Sequence, residues 1–105
     1  MRFIETSIFT RVIGGLLDDE GFRALQLALL LAPRAGSVIP GSGGLRKMRW
    51  ASGGGGKRGG CRVIYHWHEP SETYYLLYAY RKNEQEDLTG EQIQALGRIV
   101  REEFR

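Results

Sequence analysis

The chain has 105 residues, 42% of them hydrophobic, and a formal net charge of +3, a length for one domain with a modest core rather than for a disordered segment. A single cysteine, Cys61, rules out an internal disulfide and points to a reducing compartment. The longest apolar run, residues 27–32, is far short of the ~20 residues of a membrane helix. Residues 1–5 carry an early acid and no small-residue cleavage site, unlike a secretory signal; the expected location is the cytoplasm, with no membrane contact.

Residues 2–5 alternate polar and apolar side chains, as a short edge strand does. Thr6 or Ser7 is placed to cap a first helix with Ile8, Phe9, Val12 and Ile13 at helical spacing. Gly14-Gly15 ends it, since glycine takes the left-handed conformation readily at a helix C-terminus. A second helix begins near Asp18-Asp19-Glu20, whose carboxylates suit the positive end of the helix dipole. Phe22, Leu25, Leu29 and Ala32 make its core face, and Pro33 closes it. A buried strand over residues 25–31 is the competing reading, weakened by the alanines, the glutamine and the length of the pattern.

Residues 36–44 are rich in Gly, Pro and Ser and form a loop. Three strands follow, over 45–51, 61–68 and 73–81, the last dominated by tyrosine and leucine. Residues 69–72 tightly connect the second and third, so an antiparallel meander is expected. A final helix starts at Thr89, with Gln92 placed to complete a capping box and Ile93, Leu96, Val100 and Phe104 as its apolar stripe. The fold class is therefore α+β: one domain over 1–105, an antiparallel sheet with two N-terminal helices and one C-terminal helix, the helices on one sheet face.

Charge is unevenly distributed. Between Arg34 and Lys82 nine bases stand against two acids, a local net of +7, and the flanks are acidic; such a basic centre suits a polyanion. Alternation places Lys47, Arg49, Arg62, His66, Tyr78 and Tyr80 on one open face, opposite Val63, Tyr65, Trp67, Tyr75, Leu77 and Ala79, which face the helices. Cations interleaved with aromatic rings suit RNA phosphates and unpaired bases. A solvated sheet face is the plainer alternative, and a bulge reverses part of the assignment. The stretch 53–60 is not a nucleotide-binding loop: Ala51 holds the first glycine position before Gly56-Lys57, and Arg58 stands where a hydroxyl is required. It reads better as a mobile hairpin carrying two cations or, equally on local sequence, as a plain flexible turn. Cys61, His66 and His68 have no zinc spacing, Cys61 reads as a packing residue, and Glu84, Glu86 and Asp87 read as solvated charges before the last helix. No metal or cofactor is expected.

The run Gly44-Leu45-Arg46-Lys47-Met48-Arg49, then Gly56-Lys57-Arg58-Gly59-Gly60-Cys61-Arg62-Val63-Ile64-Tyr65, resembles the RelE/HigB toxins, as does Tyr80-Arg81-Lys82-Asn83-Glu84 with Asp87-Leu88-Thr89. The similarity is to the HigB branch and extends over essentially the whole chain. It implies a microbial-RNase-type fold, a cognate antitoxin as partner, and metal-independent cleavage of mRNA in the ribosomal A site. The implied chemistry is attack of the ribose 2′-hydroxyl, giving a 2′,3′-cyclic phosphate and a 5′-hydroxyl. Arg62 matches the arginine set against the scissile phosphate, Lys47 and Arg49 a basic pair on the preceding strand, and Tyr80 and Lys82 late-acting positions. Lys57 and Arg58, with Arg46, Arg81 and Asn83, are the expected RNA contacts. At Asn83 and Leu88 the chain departs from RelE, which has an arginine and a nearby tyrosine there, so the general acid and base are not carried over. The rival expectation is an RNA- or ribosome-binding module that does not cut and is regulated by an acidic protein partner.

Overall fold

The computed structural model describes residues 1–51 and 60–104. Their elements follow in the order β1 (Arg2–Glu5), α1 (Ser7–Ile13), α2 (Asp19–Leu31), β2 (Ser37–Val38), β3 (Arg46–Trp50), β4 (Cys61–His68), β5 (Thr73–Arg81) and α3 (Gly90–Glu103). One sheet holds the five strands in the order β1-β5-β4-β3-β2, which makes β4 the centre. The fold is α+β, with two N-terminal helices and one C-terminal helix, and β3-β4-β5 is the expected antiparallel meander. The sheet as a whole is mixed, because β1 joins the outer edge of β5 in parallel. That pairing requires a long connection, and here residues 6–72 supply it. Strand β2, two residues antiparallel to β3 inside the expected loop, is too short to leave a periodic signal. Among the described residues no helix is long and apolar enough to cross a membrane.

Local chemistry sets the helix ends. The Thr6 hydroxyl accepts the Phe9 N–H, the Asp18 carboxylate accepts the Gly21 N–H, and Thr89 and Gln92 form a reciprocal capping box. Helix α1 stops without a left-handed glycine: Gly14 keeps helical dihedrals, and turn bonds from Gly15, Leu16 and Leu17 back to Val12 and Ile13 consume the last carbonyls. The N-cap Asp18 and the first-turn acids Asp19 and Glu20 outweigh the strand propensity of the leucine run in α2, and Ala32, expected in the core, is its exposed C-cap.

The helices do not share one sheet face. Helices α1 and α2 pack with Val63, Tyr65, Tyr74, Leu76 and Ala79, whereas α3 packs on the other side with Leu45, Ile64, Tyr75, Leu77 and Tyr80. A bulge explains the swap. Ile64 pairs with Tyr78 but Tyr65 pairs with Leu76, so Leu77 is the extra residue and points the same way as Tyr78. The one-residue slip transfers Tyr74 and Leu76 to the α1–α2 side and Tyr75 and Leu77 to the α3 side. Amphipathicity of α3 required a buried face without specifying which side of the sheet it met.

Two phenols fasten α2 to the sheet. Tyr74 donates to the Leu29 carbonyl at 2.6 Å; Tyr65 donates to the Pro33 carbonyl at 2.8 Å and accepts the Gly36 N–H at 2.9 Å. Gly36 is required by that approach, since a Cβ there would stand 2.9 Å from the Tyr65 ring and 3.0 Å from the Lys47 carbonyl. Helix α3 is similarly close to the loop before β3, where a Cβ on Gly97 would be 2.7 Å from the Ser42 carbonyl.

Tyr65→Phe removes two buried hydrogen bonds and strands an N–H and a carbonyl, so the variant is expected to lose about 1–3 kcal/mol of unfolding free energy. Chemical denaturation at fixed pH measures it, and an unchanged midpoint with an unchanged slope contradicts the assignment.

Candidate functional site

Cross-strand register brings the sequence-selected cations together. Arg49 lies directly opposite Arg62, and Arg62 directly opposite Tyr80, forming one row across β3, β4 and β5. Lys47, Ile64 and Tyr78 form the next row on the same face. Like charges directly opposite one another destabilise a sheet, so the Arg49–Arg62 pair opposes folding and calls for an anion.

Helix α3 covers the apolar middle of this face and leaves the end near β2 and β3 open. A cleft of about 600 Å³ remains there, walled by Lys47, Arg49, Arg62 and Lys82, with Ser37, Glu86 and Asp87 at its margins. The segment after β5 brings Lys82, Glu86 and Asp87 over the cleft. Four cations and two acids therefore line one concavity.

Arg62 is only 8% exposed. Among the described residues its side chain forms no ion pair, and its hydrogen bond is one of 3.4 Å from Nη1 to the carbonyl of Cys61. Its planar guanidinium suits two oxygens of a phosphate. Tyr80, beside it, is 5% exposed, and its hydroxyl has no hydrogen-bond partner among the described residues. Burial raises the Tyr80 pKa, the negative charge of Asp87 adds to the rise, and Arg62 opposes it. The phenol consequently keeps its proton at neutral pH; it does not line the cleft but a neighbouring depression with Arg11 and Gln85.

The Lys47 ammonium donates to Asp87 Oδ1 at 2.6 Å. The carboxyl of Asp87 is held below its ordinary value of 3.8 by that hydrogen bond and the charge of Lys47, with Arg62 contributing. Asp87 is therefore not the free solvated charge that its acidic run suggests. Forty residues separate it from Lys47, and no local pattern announces the pairing.

The remaining sequence-selected residues are dispersed. Arg46 points to the α1–α2 side, where Nη1 donates to the carbonyls of Gly36 at 2.7 Å and Arg34 at 3.3 Å. Arg81 donates to the Gly15 carbonyl at 2.7 Å and lies in a separate depression with Arg11 and Glu84. Asn83 is exposed in the turn after β5 and does not line the cleft. Lys57 and Arg58 lie outside the described residues. His66 forms a hydrogen bond from its ring to the Gly44 carbonyl at 2.9 Å and contacts Phe104, away from the cations. Cys61 is fully buried, and desolvation raises its thiol pKa against the pull of Arg62 and Arg81, which suits packing rather than nucleophilic chemistry. Among the described residues no three His, Cys, Asp or Glu side chains gather as a metal-holding group. No known protein-family model matches the chain.

A depressed carboxyl pKa means the ion pair contributes above the ordinary Asp value and is lost as pH falls through the folded one. Carboxyl-carbon NMR is expected to give Asp87 a midpoint below 3.8, rising toward it in Lys47→Met. A wild-type midpoint at or above the ordinary value contradicts the pairing.

Proposed function

We propose that the protein is an endoribonuclease of the RelE/HigB type, a toxin that cuts mRNA on the ribosome in the cytoplasm and is held in check by a cognate antitoxin. The observation that carries this reading is the buried guanidinium of Arg62, without a carboxylate partner among the described residues, at the back of a cleft lined by three further cations. The motif resemblance around Lys47, Arg62 and Lys82 supports it.

The chemistry has three demands: the 2′-hydroxyl must lose a proton, the phosphorane must have its extra charge balanced, and the 5′-oxygen must be protonated as it leaves. Arg62 and Lys47 serve the second demand, as donors to the non-bridging phosphate oxygens. An ammonium already donating to a carboxylate fits this role better than that of a base. Tyr80, protonated and matched by the motif resemblance, is the candidate for the third, but its hydroxyl is buried and does not line the cleft, so it reaches the leaving oxygen only if RNA entry opens a path to it. Arg49 and Lys82, both on the exposed rim, hold flanking phosphates. Such contacts to the backbone give affinity and register without sequence preference. Arg46 and Arg81, engaged with carbonyls on the other side of the sheet, are structural in this reading.

Ribosomes programmed with a defined mRNA, incubated with the protein and followed by mapping of 5′ ends, test the proposal. Wild type is expected to produce new ends, and Arg62→Ala to cut about 10²–10³ times more slowly while melting as a folded protein. Absence of cutting by wild type overturns the enzyme reading. If RNA binding survives in that case, the protein is a non-catalytic RNA-binding module.

A further inference from the structure

One of the two acids in the cleft already occupies a cation. Asp87 sits on the segment joining β5 to α3, its side chain largely exposed, and its carboxylate takes the hydrogen bond of Lys47 Nζ while lying within the field of Arg62. A carboxylate and a phosphate present the same kind of acceptor oxygen to an ammonium. Glu86, its neighbour, also lines the cleft, yet among the described residues it forms no ion pair. The geometry thus distinguishes one acid that occupies a cation from another that only lowers the local potential.

We propose that Asp87 is an internal competitor for the phosphate position on Lys47, so that an RNA phosphate enters the cleft by displacing a carboxylate. The inference rests on the ribonuclease reading for its substrate and deepens it by assigning Asp87 a role in selectivity. The exchange is feasible because the pair is exposed. A surface ion pair is weak, and a phosphate reaching both Lys47 and Arg62 makes a second contact. A ligand offering one weak acceptor gains nothing from Lys47 and is rejected. The competing role, Asp87 as general base, fits less well, because a carboxylate stabilised by a cation is a poor proton acceptor at neutral pH.

Binding of a fluorescent, 2′-O-methylated single-stranded oligoribonucleotide, which lacks the attacking hydroxyl, tests the inference. Asp87→Asn is expected to bind about fivefold more tightly than wild type, the equivalent of an exposed ion pair. Glu86→Gln removes the same charge from the same cleft and is expected to gain less. In a Lys47→Met background the gain from Asp87→Asn is expected to vanish. Equal gains in the two acid variants, a gain that survives without Lys47, or weaker binding by Asp87→Asn each overturn the proposal. A parallel titration with inorganic phosphate, followed by NMR, separates the two readings. Tighter phosphate binding by Asp87→Asn, with no RNA binding by any form, upholds the competitor and defeats the ribonuclease.

Discussion

A guanidinium buried in the central strand of a sheet covered on both sides is the constraint around which the rest is arranged. Residues Cys61 to Tyr65 of β4 are all buried, and Arg62 is among them. Taking a cation out of water costs several kcal/mol unless a counter-charge repays it. Inside the described structure Arg62 donates one long hydrogen bond to the Cys61 carbonyl and faces another arginine across the strand pair. Apolar residues at this position would serve the core better. A local rule broken at the centre of the sheet, with no ion pair to the guanidinium among the described residues, is expected at functional positions.

The sheet itself makes the cation accessible. The bulge at Leu77 lets β5 present Tyr74 and Leu76 to α1–α2 and Tyr75, Leu77, Tyr78 and Tyr80 to α3. The consequence is a sound core on each side. Tyr80, beyond the bulge, keeps the place opposite Arg62 that alternation gave it, and among the described residues its hydroxyl is unpaired. Helix α3 covers Ile64 and Leu77 but not Arg49 or Lys47, so a concavity survives over the charged end of the same face. Core and site are two halves of one surface, divided by where α3 lies.

Much of this was legible in the residues. Strands β4 and β5 carry enough β-branched and aromatic side chains between turn residues to fix their bounds, and Thr89 with Gln92 announces α3. Lys47, Arg49 and Arg62 sort to one face by simple alternation, because β3 and β4 pair without interruption from Arg46 to Trp50. Alternation failed on β5, where a single extra residue exchanges the faces and leaves no trace in composition. It also could not place Arg81, whose partner carbonyl on Gly15 is remote in sequence, nor Asp87, which reaches Lys47 only through the fold. Pairings of this kind depend on tertiary approach, and periodicity carries no information about them.

On the proposed ribonuclease reading, the cleft directs a ribose 2′-hydroxyl against a phosphate held by Arg62. This chemistry is tested most directly by one substitution in the RNA rather than in the protein. Ribosomes carrying an mRNA with a single 2′-deoxynucleotide on the 5′ side of a mapped cut should be incubated beside the all-ribose message, and the ends of the products analysed. The account predicts cleavage of the all-ribose message to a 2′,3′-cyclic phosphate and a 5′-hydroxyl, and no cut at the deoxy position. Equal cutting at that position contradicts it.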